Sequence, residues 1–196
     1  METDANVWVL CAGGSPCGAL SVYVDDLLVA APEGLLEEVL KHLQGLWECS
    51  PPDHLVEGGT LRYAGFELSK QGDSIFVHQS SYTQEVLTKA HHVTGESEVP
   101  CVRDDFSEDS PPAVALDPAK VKEAQGLAGE LLWLSNRTRA DIAFAVARVS
   151  HAISRNPDIA IQRAHQVIRY LRRFPRLGLK YGKPPCDYGG HMEYQF

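Results

Sequence analysis

The chain has 196 residues, of which 44% are hydrophobic and 22% charged, proportions that are ordinary for a soluble globular protein. No apolar run is long enough to cross a membrane, and the acidic start lacks the basic region of a signal peptide, so we expect an intracellular protein of the cytoplasm or nucleus that is not secreted. The net charge of −8 would disfavour nucleic-acid binding if it were evenly spread, but residues 136–183 hold eleven Lys or Arg against two Asp, a local charge of +9.

Apolar strands and a tight turn are predicted near the start of the chain. Residues 6–11 have the pattern of a strand, and two further apolar runs cover residues 20–24 and 27–31. Only Asp25 and Asp26 separate these two runs, which is the length of a tight hairpin turn. The continuous apolar character of the runs predicts strands that are covered on both faces.

A helix and a second hairpin are predicted next. Leucines at helical spacing predict a helix from residue 32 to about residue 47. Residues 61–69 and 74–78 are predicted to pair around a turn at residues 71–73. Ser80 or Ser81 is expected to cap a helix that runs to about Ala90.

An acidic stretch with several prolines, residues 94–117, separates this part from a helical one. It has little apolar content, so we predict a mobile linker. Helices are predicted after it at about 118–135, 139–155 and 158–173, and a short closing strand at 177–181. Because hairpins come first and helices after, the predicted fold class is α+β.

The two adjacent carboxylates of Asp25 and Asp26 indicate a metal site. They repel each other, and strands covered on both faces leave little water to screen them. A divalent cation would explain the pair, because Mg²⁺ prefers carboxylate oxygens and shares them with substrate phosphates during phosphoryl transfer. The alternative is a solvated Asp-Asp turn, which is common because aspartate favours turns.

The residues around this pair resemble the reverse transcriptases of copia-type retrotransposons. Tyr23-Val24-Asp25-Asp26 is similar to the second catalytic motif of that family, and the blocks after it follow in the family's order. These further blocks are the hairpin at 61–68, then residues 78–82, 129–134, 138–146, 169–173 and 178–181.

The resemblance implies a fold, an activity and a division of the chain. Residues 1–93 would be a partial palm, 94–117 the linker, 118–183 a helical thumb and connection region, and 184–196 a stump of the ribonuclease H region. The activity would be RNA-directed DNA polymerisation by two-metal nucleotidyl transfer, with Mg²⁺ or Mn²⁺ as cofactor. A template–primer duplex of RNA or DNA and deoxynucleoside triphosphates would be the partners.

The resemblance also assigns site residues. Asp25 and Asp26 would be the catalytic residues and metal ligands, and Tyr23 would lie beneath the primer end. The residues expected to contact the primer or the duplex are Tyr23, Arg62, Tyr63, Gly65, Arg169, Arg172 and Arg173. For the three arginines after residue 168, the alternative is a solvated helix face that keeps the domain soluble.

Departures from the family pattern limit the activity expected of this chain. The family's first catalytic motif lies well upstream of the second and carries an essential Asp, and nothing before Tyr23 fits it. The chain is therefore expected to be a fragment that does not polymerise alone. The alternative is a non-catalytic relic that serves as a nucleic-acid-binding or interaction module.

Cysteine and histidine are not expected to form a site. The five cysteines lack the spacing of zinc ligands, and we expect free thiols. His151 and His165 lie in predicted helices without a carboxylate or cysteine constellation, so we expect them to be packing or surface residues.

Overall fold

The computed structural model describes residues 4–102 and 116–182, which combine antiparallel strands with helices in a mixed α+β structure. The chain divides into two units, Met1–Lys70 and Gln71–Phe196. No helix in the described ranges is both long enough and apolar enough to cross a membrane.

The first unit begins with a three-stranded antiparallel sheet. Its strands are β1 (Val7–Ala12), β2 (Ser15–Tyr23) and β3 (Asp26–Ala30), with β2 in the centre. The register between β1 and β2 shifts at Leu10 and Cys11, which is the signature of a bulge. β2 and β3 pair without interruption as far as Tyr23, which lies opposite Asp26.

Helix α1 (Glu33–Leu46) follows the sheet, close to the bounds that the leucine spacing predicts. Pro32 precedes its first residue, where the fixed φ of proline suits entry into a helix and its missing N–H costs no hydrogen bond. Leu43 is the residue of α1 whose side chain is buried, so the helix presents a narrow apolar contact.

The segment 61–69 has the pattern of one strand, but it forms a hairpin, as the family resemblance implies for residues 61–68. Strand β4 (Thr60–Tyr63) pairs with β5 (Phe66–Gln71), and Tyr63 lies opposite Phe66. Ala64 and Gly65 form the turn, with φ values of 50° and 81°. Two successive residues with positive φ fit a tight hairpin turn. The strand pattern does not predict this turn, because alanine rarely takes a positive φ.

The prediction that the first strands are covered on both faces is wrong. In the described part of the first unit only Leu43 and Ala64 are buried, while Trp8, Val9 and Val24 are exposed. A three-stranded sheet and one amphipathic helix offer too little apolar surface to cover two sheet faces.

The second unit has a helical core. Its helices are α2 (Ser80–Lys89), α3 (Pro118–Ser135), α4 (Ala143–Ala152) and α5 (Pro157–Arg173). A short 3₁₀ turn at Ala140–Ile142 precedes α4, so the helix predicted at 139–155 is divided. Fully buried Leu131, Val146 and Ile168 belong to one apolar cluster that joins these helices. Strand β6 (Ser74–His78) pairs with the closing strand β7 (Leu179–Tyr181).

The ends of α3 and α5 follow from local chemistry. Asp117 accepts a hydrogen bond from the backbone N–H of Ala119, and Asn156 accepts one from that of Ile159. Each of these caps is followed by a proline in the first helical turn, which is the favoured arrangement at a helix start.

An ion pair between buried Arg139 and partly exposed Asp141 fixes the block 138–146 that the family resemblance includes. The guanidinium of Arg139 is 1% exposed and donates to both carboxylate oxygens of Asp141, at 3.0 and 2.9 Å, and to the carbonyl of Phe174 at 3.0 Å. Burial acts to raise the pKa of Asp141, but the hydrogen bonds and charge of Arg139 outweigh it and hold that pKa below its ordinary value. This block therefore joins the start of α4 to the end of α5.

Residues 94–102, the first part of the predicted linker, lie along α5. The backbone N–H of Ser97 donates to the carbonyl of Arg169 at 3.2 Å, and the Gln166 side chain donates to the carbonyl of Val99 at 2.9 Å. The prediction of a mobile linker across 94–117 does not hold for these first residues, which are hydrogen-bonded to α5. Composition does not reveal these hydrogen-bond partners. Residues 103–115 and the tail 184–196 lie outside the described ranges.

The four cysteines within the described residues are free thiols, as predicted.

Candidate functional site

The turn between β2 and β3 carries the paired carboxylates. It consists of Val24 and Asp25, one residue earlier than the predicted Asp25-Asp26 turn, because Tyr23 and Asp26 already pair as strand residues. Asp25 therefore lies at the tip, and Asp26 begins β3. Both side chains are exposed.

Val24 is strained at this tip. Its φ is 57°, a left-handed value that β-branched residues rarely adopt, and its side chain is 85% exposed. Such a backbone costs about 1–3 kcal/mol and persists where the surrounding structure enforces it, often at active sites and ligand clamps. With so little of the Val24 side chain buried, its packing does not explain the strain.

The β4–β5 hairpin contacts the hairpin that carries the two aspartates. The Tyr63 hydroxyl donates to the Ser21 hydroxyl oxygen at 2.9 Å. The backbone N–H of Ala64 lies 3.4 Å from Oδ2 of Asp26, a long hydrogen bond to that carboxylate. The turn of the β4–β5 hairpin, whose residues are predicted to contact the primer or the duplex, thus lies beside Asp26, and it includes Gly65, another predicted site residue.

The two aspartates fit part of a Mg²⁺ or Mn²⁺ site. Their oxygens are the hard ligands that such ions prefer, and their exposure leaves room for water and phosphate oxygens. Yet no group of three or more His, Cys, Asp or Glu side chains in residues 4–102 and 116–182 is arranged to hold a metal ion. Two neighbours on one turn do not make a complete two-metal cage, so we derive no catalytic step through an ion.

The remaining predicted residue of the first unit, Arg62, is exposed on β4. It lies opposite Glu67 on β5, a pairing that places unlike charges across the hairpin.

The three predicted arginines of the second unit lie on α5 and have partners within the chain. Arg169 donates through Nε to the carbonyl of Thr94 at 3.0 Å. Arg172 donates through Nη2 to the carbonyl of Ala90 at 3.5 Å. Arg173 lies 3.8 Å from the carboxylate of Glu96. The structure therefore gives each arginine an internal contact that the sequence did not reveal.

Several residues that hold these regions together were not identified from the sequence. Ser21 and Ala64 hold the two hairpins of the first unit together, and Gln166 holds the segment after α2 onto α5. Gly65, which follows Ala64, is a residue type that favours turns and so indicates one at this place. Nothing local marks Ser21 or Gln166, because their partners are 42 and 67 positions away.

His165 packs within the second unit, in line with the expected packing role. Its ring meets that of His92 edge to face at a centroid distance of 5.5 Å, and its buried Nε2 has no hydrogen-bond partner among the described residues. Burial lowers the pKa of His165, and neighbouring His92 and Arg169 lower it further.

One comparison with known proteins finds a relative. The chain is 27% identical over 171 residues to a transposon Ty5-1 protein of Saccharomyces cerevisiae. The match covers 83% of this chain and 51% of the yeast protein, so the chain spans about half the length of that relative. No family model and no solved structure matches the chain. The chain is retrotransposon-related.

Proposed function

We propose that this chain is part of a copia-type retrotransposon reverse transcriptase, a Pol polyprotein product, and that it carries the second catalytic motif of the palm. In the intact enzyme Asp25 and Asp26 bind Mg²⁺ or Mn²⁺, and the reaction is RNA-directed DNA polymerisation on a template–primer duplex with deoxynucleoside triphosphates. The observation that carries the proposal is the strained turn at Val24, beside which two adjacent carboxylates are exposed, Asp25 at the tip and Asp26 at the start of β3.

The relation of the two hairpins supports the same proposal. A nucleotidyl-transfer site needs a primer end held close to the metal ligands, because positioning supplies much of the rate in phosphoryl transfer. Tyr63 and Ala64 of the β4–β5 hairpin contact Ser21 and Asp26, so a primer gripped by this hairpin would lie beside the carboxylates. Tyr23, opposite Asp26 in the register, is the aromatic surface at that place.

The described residues leave the site short of ligands. Two-metal catalysis needs carboxylates from more than one element, and these residues supply Asp25 and Asp26 from one turn. We therefore expect no primer extension by this chain alone with Mg²⁺ or Mn²⁺. Extension that disappears in Asp25→Asn would contradict this and would mean that another carboxylate completes the site.

Binding of Mn²⁺, followed by electron paramagnetic resonance, tests the proposed metal site directly. We expect wild-type chain to bind the ion weakly and Asp25→Asn to weaken that binding by about tenfold or more, since ligand charge sets the affinity of oxygen-ligand sites. Asp53→Asn is the matched control, because Asp53 is an exposed carboxylate of the same unit. Equal binding by the Asp25→Asn and Asp53→Asn variants would refute the proposal.

The second candidate is a non-catalytic module that binds nucleic acid. The shortage of metal ligands among the described residues favours it, as does the basic helix α5. Duplex binding that persists in a chain without Asp25-dependent Mn²⁺ binding would support this candidate over the polymerase.

A further inference from the structure

The segment of residues 94–99, called the strap from here on, lies on the C-terminal half of α5. Four hydrogen bonds join the strap to α5. Arg169 donates through its side chain to the carbonyl of Thr94 at 3.0 Å, and its own carbonyl accepts from the N–H of Ser97 at 3.2 Å. The Gln166 side chain donates to the Ser97 hydroxyl at 2.8 Å and to the Val99 carbonyl at 2.9 Å.

The strap also brings negative charge to a positive surface. Glu96 and Glu98 are exposed on it, and the Glu96 carboxylate lies 3.8 Å from Nη1 of Arg173. The surface beneath is the arginine face of α5, defined as Arg169 and Arg173, whereas Arg172 donates to the carbonyl of Ala90, which precedes the strap. A carbonyl oxygen and a carboxylate are acceptors for guanidinium groups, as phosphate oxygens are, so strap and phosphate would compete for the same donors.

We propose that the strap regulates nucleic-acid binding by occupying the arginine face. Phosphates of a template–primer duplex bind this face fully only after the strap leaves. The inference rests on the proposed function, in which these arginines contact the duplex. Phosphates compensate for the release of the strap, because guanidinium–phosphate pairs are charge-assisted and free the counterions of the duplex.

Gln166→Ala tests the proposal without changing any charge. It removes two donors that hold the strap and leaves both arginines of the arginine face in place. Gln162→Ala is the matched control, because Gln162 is an exposed residue of α5 one turn earlier. Hydrogen exchange at the Ser97 amide reports whether the strap has been released. Ser97→Pro, which deletes the N–H that donates to Arg169, is a second way to release it.

The measurement is fluorescence anisotropy of a labelled RNA–DNA duplex with the full chain, over a range of salt concentrations. We expect each release variant to bind about fivefold or more tightly than Gln162→Ala, the factor that one net hydrogen bond represents. The gain should be largest at low salt, and adding Arg169→Ala should remove it.

Equal affinities for the release variants and the control, or no duplex binding by any of them, would overturn the proposal. So would weaker binding on release, which would mean that the strap orients the arginines for phosphate. The outcome is separable from the proposed polymerase function, because Mn²⁺ binding at Asp25 is measured independently and does not depend on Gln166.

Discussion

At the tip of the β2–β3 hairpin, Val24 holds a backbone conformation that its own side chain disfavours. Glycine accepts a positive φ without this penalty, and the Val24 side chain is too exposed to lose much packing when it is removed. A glycine at position 24 would relieve the backbone strain, but it would lose more conformational entropy on folding than valine does. The strain costs more free energy than this entropy loss, so glycine should stabilise the folded chain.

We therefore expect Val24→Gly to stabilise the protein by up to about 1 kcal/mol, measured by urea unfolding. Val9→Gly is the control, because Val9 is also exposed but lies in β1 with an ordinary backbone. That variant should be destabilised, since glycine weakens a strand interior. If both variants lose stability equally, Val24 is not strained in solution.

We expect His165 to make the stability of the second unit depend on pH, because the fold lowers the pKa of its imidazole. An ordinary histidine takes up a proton near pH 6.5, and burial, His92 and Arg169 hold the pKa of His165 below that value, while Glu123 opposes the shift. The unfolded chain then binds more protons than the folded one as the pH falls through this window, so acidification destabilises the fold.

We expect the urea midpoint to fall between about pH 7 and pH 5, and to fall less in His165→Gln. His42→Gln, which replaces an exposed histidine of α1, is the control for the change of residue type. A His165→Gln variant with an unchanged pH profile would show that His165 titrates normally in the folded chain.

At the scale of elements, a hydrogen bond between the hydroxyls of Tyr63 and Ser21 joins the two hairpins of the first unit, and it is shorter than the one from Ala64 to Asp26. We expect Tyr63→Phe to lower stability by about 0.5–1.5 kcal/mol through loss of the bond to Ser21. In a double-mutant cycle, Ser21→Ala should add little to Tyr63→Phe, because both changes remove the same bond. Fully additive effects would mean that the hydroxyls of Tyr63 and Ser21 do not meet.

Elements that depend on local signals were predictable from the sequence. The leucine spacing gives α1, and Pro118 and Pro157 with their preceding caps mark the starts of α3 and α5. The sequence predicts a hairpin turn at Asp25 and Asp26, and the observed turn lies one residue earlier, at Val24 and Asp25. These features arise within a few residues of each other, where propensity and spacing operate.

Features that depend on distant partners were not predictable. The strap has the composition of a linker, and its order comes from donors 67 to 75 positions further along the chain. The strand pattern alone does not predict the β4–β5 turn, because Ala64 has a left-handed backbone that alanine rarely adopts and lies in a buried position. The internal contacts of the α5 arginines have the same cause.

At the scale of the whole molecule, the two units differ in how much apolar surface they bury. The described helices of the second unit share one buried cluster, whereas the first unit buries few side chains and leaves Trp8 and Val9 exposed. β1 is an edge strand of its sheet, and an apolar edge favours pairing with other chains. The unit that carries the proposed metal site is thus the one with the smaller core.

Asp25 and Asp26 are proposed to bind a divalent cation, and locating that ion on the chain tests this most directly. Mn²⁺ added in small amounts to ¹⁵N-labelled chain broadens the amide signals nearest to it. We expect the signals of residues 24–26 to broaden first, then that of Ala64, whose N–H lies 3.4 Å from Asp26, and we expect Asp25→Asn to abolish the pattern. Broadening centred on other acidic residues such as Glu96 and Glu98, or unchanged in Asp25→Asn, would contradict this proposal.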